Sequence, residues 1–96
     1  MGWSDWLLMN EQGISSVPAQ SGVYQLNSNT GTLYHGQSND LKRRLDEHLN
    51  SDDSCIRKAT KFVYQITDDP EGLEEQILKN YIEKYGKLPP CNELSS

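Results

Sequence analysis

Five side chains in this 96-residue sequence have the functional groups that phosphodiester hydrolysis needs. They are the phenols of Tyr24 and Tyr34, the guanidinium of Arg44, the imidazole of His48 and the carboxylate of Glu74. Cleaving such a bond calls for a base to take a proton from water and a cation to meet the charge gathering on the phosphate. A metal at the leaving oxygen completes the set. No Ser or Cys nucleophile pattern accompanies them. Each residue alone has an ordinary structural explanation: a packed tyrosine pair, a surface ion pair, a hydrogen-bonded boundary histidine. Their occurrence together is what points to chemistry.

The elements that must position these groups can be read from periodicity. Residues 22–26 alternate as a strand, residues 27–31 (Asn-Ser-Asn-Thr-Gly) have turn chemistry, and residues 32–36 form a second strand. A hairpin symmetric about Asn29 sets Tyr24 directly opposite Tyr34, with both phenols on one face. Ser38 or Asn39 caps the next helix, which runs to about His48 or Asn50. At about 100° per residue Leu41, Leu45 and Leu49 form its buried stripe, with Arg44 and His48 beside it. Arg43 and Glu47 fall on the far, solvated side.

Residues 51–54 are a polar break, and residues 55–60 are ambiguous, with a short helical turn among the options. Residues 61–67 read as a third strand with Phe62, Tyr64 and Ile66 on one face. Asp69 then caps a helix with Pro70 in its first turn, stopped near Tyr85 by Gly86 and the Pro89-Pro90 pair. On this helix Leu73, Ile77, Leu78, Tyr81, Ile82 and Tyr85 span a wide apolar arc, and Glu74 falls near its middle. A carboxylate on a buried face costs several kcal/mol unless it is paired or bound to a metal. Glu74 therefore either pairs with a neighbour such as Arg44 or serves as a ligand for a hard divalent cation such as Mg²⁺. At the N-terminus, Ser4 is positioned to cap a short helix over residues 5–10, ended by Gly13, with Trp3, Trp6 and Leu7 covering an open end of the core. The expectation is one domain over residues 1–96: a helical extension over 1–19, then a core over about 20–93. Its class is α/β (α+β), a three-stranded antiparallel sheet flanked by helices.

Bulk properties narrow the partners. The composition, 34% hydrophobic and 24% charged, is that of a globular domain with a small core. No apolar run approaches membrane-spanning length, and residues 1–10 lack the basic and apolar regions of a signal peptide. The net charge of −5 is unlike a generic nucleic-acid binder, yet the bases are concentrated. Residues 35–61 hold six bases against five acids, while residues 62–96 hold three against seven. Cys55 and Cys91 fit no paired-cysteine metal spacing. With no secretory signal, both are expected as free thiols in a reducing, cytoplasmic setting.

The spaced pattern resembles the GIY-YIG nuclease superfamily. Gly22-Val23-Tyr24 matches its first signature tripeptide and Tyr34-His35-Gly36 its second. Asn39-Asp40-Leu41 followed by Arg44 and His48 is similar to the family's helix, residues 73–79 to its acidic helix, and Asn92 to the asparagine that closes the domain. The resemblance covers about residues 20–93. It implies the fold given above and metal-dependent hydrolysis of DNA phosphodiesters with one Mg²⁺ or Mn²⁺. Tyr24 or Tyr34 would deprotonate water, Arg44 would hold the scissile phosphate, Glu74 would ligate the metal, and His48 would hydrogen-bond a tyrosine or the phosphate. Gln37, Lys42, Arg44 and Asn92 are the expected substrate-side positions, with Asn92 fixing the chain near the cleft. Two positions differ from the usual pattern: His35 replaces an aliphatic residue, and Gln37 stands where many members have lysine. The acidic balance implies a DNA substrate recognised by shape, branched DNA included, or a protein partner supplying specificity. The rival expectation is an inactive scaffold serving as a nucleic-acid or protein-interaction module.

Overall fold

The computed structural model describes residues 2–94. In chain order the elements are β1 (Leu7–Leu8), α1 (Glu11–Ser15), β2 (Gly22–Ser28), β3 (Gly31–Ser38), α2 (Leu41–Leu49), a 3₁₀ turn (Ile56–Lys58), β4 (Lys61–Ile66), α3 (Pro70–Tyr85) and α4 (Pro90–Leu94). The strands form one antiparallel sheet in the order β1-β4-β2-β3, so β2 is paired on both sides. The expected three-stranded sheet thus gains a short fourth strand at one edge.

That fourth strand replaces the expected N-terminal helix. The backbone N–H of Ser4 donates to the Tyr64 carbonyl (2.8 Å), and Leu7 and Leu8 pair with Phe62 and Lys61. The unpaired edge of β4 offers this short segment backbone partners that an isolated turn of helix lacks. The helix comes later, over Glu11–Ser15, capped by the Asn10 side chain. Trp3 and Trp6 stay exposed rather than closing the core, with the Lys61 ammonium over the Trp6 ring at 4.6 Å.

Between β2 and β3 the turn is tight, with Ser28 opposite Gly31 and Gly31 at φ 141°. A bulge between Leu26 and Asn27 shifts the register, so Tyr34 faces Leu26 and Tyr24 faces Gly36. The direct Tyr24–Tyr34 pairing expected from a symmetric hairpin is therefore corrected to a diagonal one. An offset of two residues keeps both side chains on the same face.

The core lies on that face. Tyr24, Leu26 and Phe62 from the sheet meet Leu41 and Leu45 of α2, Ile14 and Val17 from the α1 region, and Ile56 from the 3₁₀ turn. Leu41 and Leu45 are wholly buried, worth about 2 kcal/mol each against exposure. The cap of α2 is Asp40, whose carboxylate accepts from Arg43 N–H (3.1 Å), rather than Ser38 or Asn39. Ser38 instead ties the preceding turn through its hydroxyl, accepting from Asp40 N–H.

Helix α3 packs across β3 and β2. Its ends match their signals: Asp69 accepts from Gly72 N–H, Pro70 opens it, and Gly86 closes it in the left-handed conformation at φ 78°. None of its residues is fully buried, so the wide apolar arc is only partly covered. Glu74 accordingly lies half-buried rather than at the centre of a buried face.

Cys55 and Cys91 form a disulfide, with Cα atoms 5.7 Å apart. The expectation of two free thiols is overturned, and the argument for a reducing compartment falls with it. Thirty-six residues separate them, so only the folded chain shows that they meet. Among the described residues no helix is long and apolar enough to cross a membrane.

Candidate active site

The first tripeptide places Tyr24 at the centre of the sheet. Gly22 is required before it, because a Cβ there would overlap the Gln65 carbonyl and the Leu41 side chain. Gly36 is required across from it: a Cβ would drive into the Tyr24 ring and crowd Tyr34. The two glycines of the signature therefore let the Tyr24 ring lie flat over β3 while α2 closes down on β2.

Tyr24 is almost completely buried, and its hydroxyl meets His48 Nε2 at 2.6 Å. Burial first, and then the neighbouring Tyr34, push the Tyr24 phenol well above its usual range. Burial, and then the charge of Arg44, hold His48 down at about 4. At neutral pH the phenol is protonated and the imidazole neutral, so Tyr24 O–H donates and His48 Nε2 accepts. Tyr34 completes the group, its ring 6.1 Å from that of Tyr24 and 5.5 Å from that of His48.

Tyr34, Arg44, Glu47, His48 and Asp53 line one cavity of about 220 Å³. Periodicity had separated the two arginines correctly: Arg44 enters this cavity, whereas Arg43 lies over Asp40 and Asn39 in solvent. Arg44 Nη1 meets Glu47 Oε1 at 3.1 Å, with both side chains about half exposed (43% and 51%). Partial burial works against the Arg44 charge, but Glu47 and the two phenols more than offset it and hold the guanidinium above its ordinary value. An ion pair this exposed contributes less than about 1 kcal/mol, so a phosphate making charge-assisted hydrogen bonds can displace Glu47.

Glu47 and Asp53 are two site residues that sequence reasoning missed. Glu47 is on the exposed side of α2, as expected, but its side chain reaches back one turn to Arg44. Asp53 sits in the polar break, where its carboxylate accepts from Cys55 N–H (2.9 Å) and helps to favour the charge on His48. Neither carries a motif that would have singled it out.

Glu74 lines a different cavity of about 730 Å³ together with Gln37, Glu71 and Glu75. It does not pair with Arg44. Tyr24 feels the charges of both Arg44 and Glu74, although it lines neither cavity. Burial, and then Glu71, raise the Glu74 carboxyl above its usual range. Among the described residues it has no hydrogen-bond or ion-pair partner. Such a carboxylate, half-buried and electrostatically unrelieved, fits a hard divalent cation. No group of three or more His, Cys, Asp or Glu able to hold a metal occurs among the described residues. A cation here would be held by Glu74, with the Glu71 charge nearby, and otherwise by water and substrate oxygens.

The remaining expected positions divide. Gln37 faces the Glu74 cavity. Asn92 lies against β3, where its Oδ1 accepts from His35 N–H (2.8 Å) and its Nδ2 donates to the His35 carbonyl (2.9 Å). It pairs with the edge strand as a further backbone would and so fixes Tyr34 and Gly36 on either side. Lys42 is not brought to the cluster: its Nζ donates to the Ser15 carbonyl (3.2 Å) beside α1.

Residues 20–87 match the family model described as the GIY-YIG catalytic domain. Solved structures of similar fold include the N-terminal endonuclease domain of UvrC from Thermotoga maritima bound to magnesium, its catalytic divalent cation. That pair shares 23% identity at a TM-score of 0.62, over 83% of this chain and 91% of the other. A point mutant of the same domain is 21% identical, with a TM-score of 0.62 over 83% and 90%. A comparison with curated protein sequences gives no match.

Proposed function

The chain belongs to the GIY-YIG catalytic-domain family of nucleases, and from that premise we propose that it hydrolyses DNA phosphodiesters with one divalent metal ion. The observation that carries this reading is the cluster itself. A buried Tyr24–His48 hydrogen bond holds Tyr34 and Arg44 at one cavity, and an unpaired carboxylate, Glu74, faces another. The magnesium-bound UvrC domain supports the choice of metal.

In this proposal Arg44 exchanges Glu47 for the scissile phosphate and stabilises its developing charge. Glu74 would hold Mg²⁺ or Mn²⁺, which supplies neutralisation of the leaving oxygen. Tyr34 is the phenol that faces attacking water. The protonation states of Tyr24 and His48 favour this choice. Passing the Tyr24 proton to His48 would create two charges that burial opposes, so that pair positions rather than ionises. Tyr24 keeps His48 in register with Tyr34, and Asn92 keeps Tyr34 on its strand.

The test is cleavage of plasmid and branched DNA in Mg²⁺ or Mn²⁺, run beside Arg44→Ala and Tyr34→Phe. Wild type should cut, and each variant should lose roughly 10²–10³-fold in rate without loss of folding. Undiminished activity in both variants would remove these residues from the mechanism. Folded wild-type protein that binds DNA but never cuts it would establish an interaction module instead. Preference for branched over linear plasmid would locate specificity in DNA shape. Cutting only in the presence of added cell extract would locate it in a protein partner.

A further inference from the structure

The Tyr34–Arg44 cavity has a smaller neighbour. His48 and Ile56 line both, and the second, of about 140 Å³, is completed by Met9, Leu49, Arg57 and Ala59. The two lie side by side across His48, so an extended strand seated at Arg44 can pass over that ring to the 3₁₀ turn at Ile56–Lys58. The turn is firmly seated. Ile56 is buried, Cys55 is bonded to Cys91, and the Asp53 carboxylate accepts from the N–H groups of Cys55 (2.9 Å) and Ile56 (3.5 Å). Lys58 N–H donates to the Cys55 carbonyl (3.2 Å), which leaves Arg57 and Lys58 exposed on a fixed backbone.

Charge gives this path its direction. In the first cavity one guanidinium, Arg44, stands against two carboxylates, Glu47 and Asp53, so that cavity alone does not attract a polyanion. The bases beyond it are differently placed. Lys61 is occupied over the Trp6 ring, but among the described residues neither Arg57 nor Lys58 has an ion-pair or side-chain hydrogen-bond partner. Such cations break no contact within the protein when they meet phosphate, and they release counterions condensed on the DNA. His48 adds a donor on the way. Its Nε2 accepts from Tyr24, so its proton is on Nδ1. That Nδ1 has no partner among the described residues, where the one buried and unpartnered side-chain nitrogen is that of His35; the His48 Nδ1–H therefore reaches solvent.

We propose that this path binds the sugar-phosphate backbone of the DNA strand flanking the scissile phosphate, with Arg57 and Lys58 on phosphates beyond the cut and the His48 Nδ1–H donating to a phosphate oxygen between them and Arg44. The proposal rests on the DNA reading above and gives the strand a course. It leaves the cavity by the 3₁₀ turn rather than along α3, where Glu71, Glu74, Glu75 and Glu83 line the other cavity. Contacts of this kind fix the position of the strand without reading its bases. They also let a chain of net charge −5 hold a polyanion, because the cations that matter are unpaired and on one side of the site.

The test is the salt dependence of duplex DNA binding by the full chain without divalent metal, followed by cleavage with Mg²⁺ present. Each phosphate contact adds about −0.9 to the slope of log affinity against log salt. Arg57→Ala and Lys58→Ala, both at exposed positions, should fold as wild type and each make the slope shallower by about 0.9. Each should weaken binding about 5-fold in dilute salt, and the double variant should show twice the change in slope. Lys84→Ala, which removes an equal charge from α3, should leave the slope as it is. In cleavage KM should rise in step while kcat holds within about 2-fold, and NMR should show the His48 Nδ1–H resonance moving on DNA binding. An unchanged slope in the double variant overturns the proposal, and so does an equal change in Lys84→Ala, which would make the effect one of net charge. A lower kcat at unchanged KM, or a His48 resonance that DNA leaves in place, overturns it as well. DNA bound with the expected slopes but never cut would count against the catalytic reading and leave the path standing. Cleavage with unchanged slopes would do the reverse.

Discussion

Tyr34 and His35 are neighbours on β3 that serve opposite faces of the sheet, and those faces are built differently. Under Tyr34 the polar groups are paired: Tyr24 donates to His48, Arg44 holds Glu47, and α2 closes over them with Leu41 and Leu45 fully buried. Under His35 the ring has an unpartnered nitrogen, and the covering helix α3 has no fully buried residue. Two buried histidines thus share one protonation state for different ends. The buried nitrogen of His48 is satisfied within the protein, which makes that ring a positioning group. His35 keeps a buried nitrogen without a partner, a cost that its own face does not relieve.

The comparison can be broken at the tether that both faces share. The Cys55–Cys91 bond closes a 36-residue span that contains β4 and α3, and in the chain-entropy account it contributes roughly 3–4 kcal/mol. Reduction should lower the unfolding free energy by about that amount. Hydrogen exchange should quicken in α3 and at the His35 amide before it does in α2, whose Leu41 and Leu45 also pack on Tyr24, Leu26, Ile14 and Val17 outside the loop. Uniform loosening of α2 and α3 would mean that the two faces are not distinct in stability.

Acid should strike both faces together. Each histidine is held at about 4 in the folded chain against about 6.5 unfolded, so its neutral form is what folding favours. The stability associated with this is fully present above pH 6.5 and is lost as pH falls toward 4, on the order of 2–3 kcal/mol per histidine. Chemical denaturation at stepped pH checks the sign. A stability flat from pH 7 to 4.5 would mean that neither ring is held neutral.

Substitution separates the histidines more finely. His48→Leu strands the buried Tyr24 hydroxyl and should destabilise by about 1–3 kcal/mol. His35→Leu removes an unpaired nitrogen and should be neutral or stabilising by about 1 kcal/mol. Equal losses in urea denaturation would erase the distinction drawn between the two faces.

Much of what covers the two faces was legible in the sequence. The helical period separated Arg44 from Arg43, and Asp69, Pro70 and Gly86 marked the ends of α3, because caps and periodicity are local signals. The bulge at Leu26 and Asn27 has no local signature; its one-residue shift adds to the one-residue shift of a turn with Ser28 opposite Gly31, and the total of two spared the facing of the tyrosines. What escaped depends on distant partners. Ser4 to Leu8 took the edge of β4 instead of forming a helix, the two cysteines met across 36 residues, and Asn92 found the β3 backbone. Glu47 escaped for a different reason: a wheel projection places Cβ atoms, not the reach of a long side chain.

In the proposed mechanism Glu74 holds the catalytic metal from its own cavity, and Mn²⁺-dependent cleavage of plasmid DNA tests this most directly. Wild type should show a rate that rises with Mn²⁺ and saturates. Glu74→Ala should fall by at least about 10²-fold at every Mn²⁺ concentration while binding DNA as before. Undiminished cleavage by Glu74→Ala, with the same Mn²⁺ dependence as wild type, would contradict it.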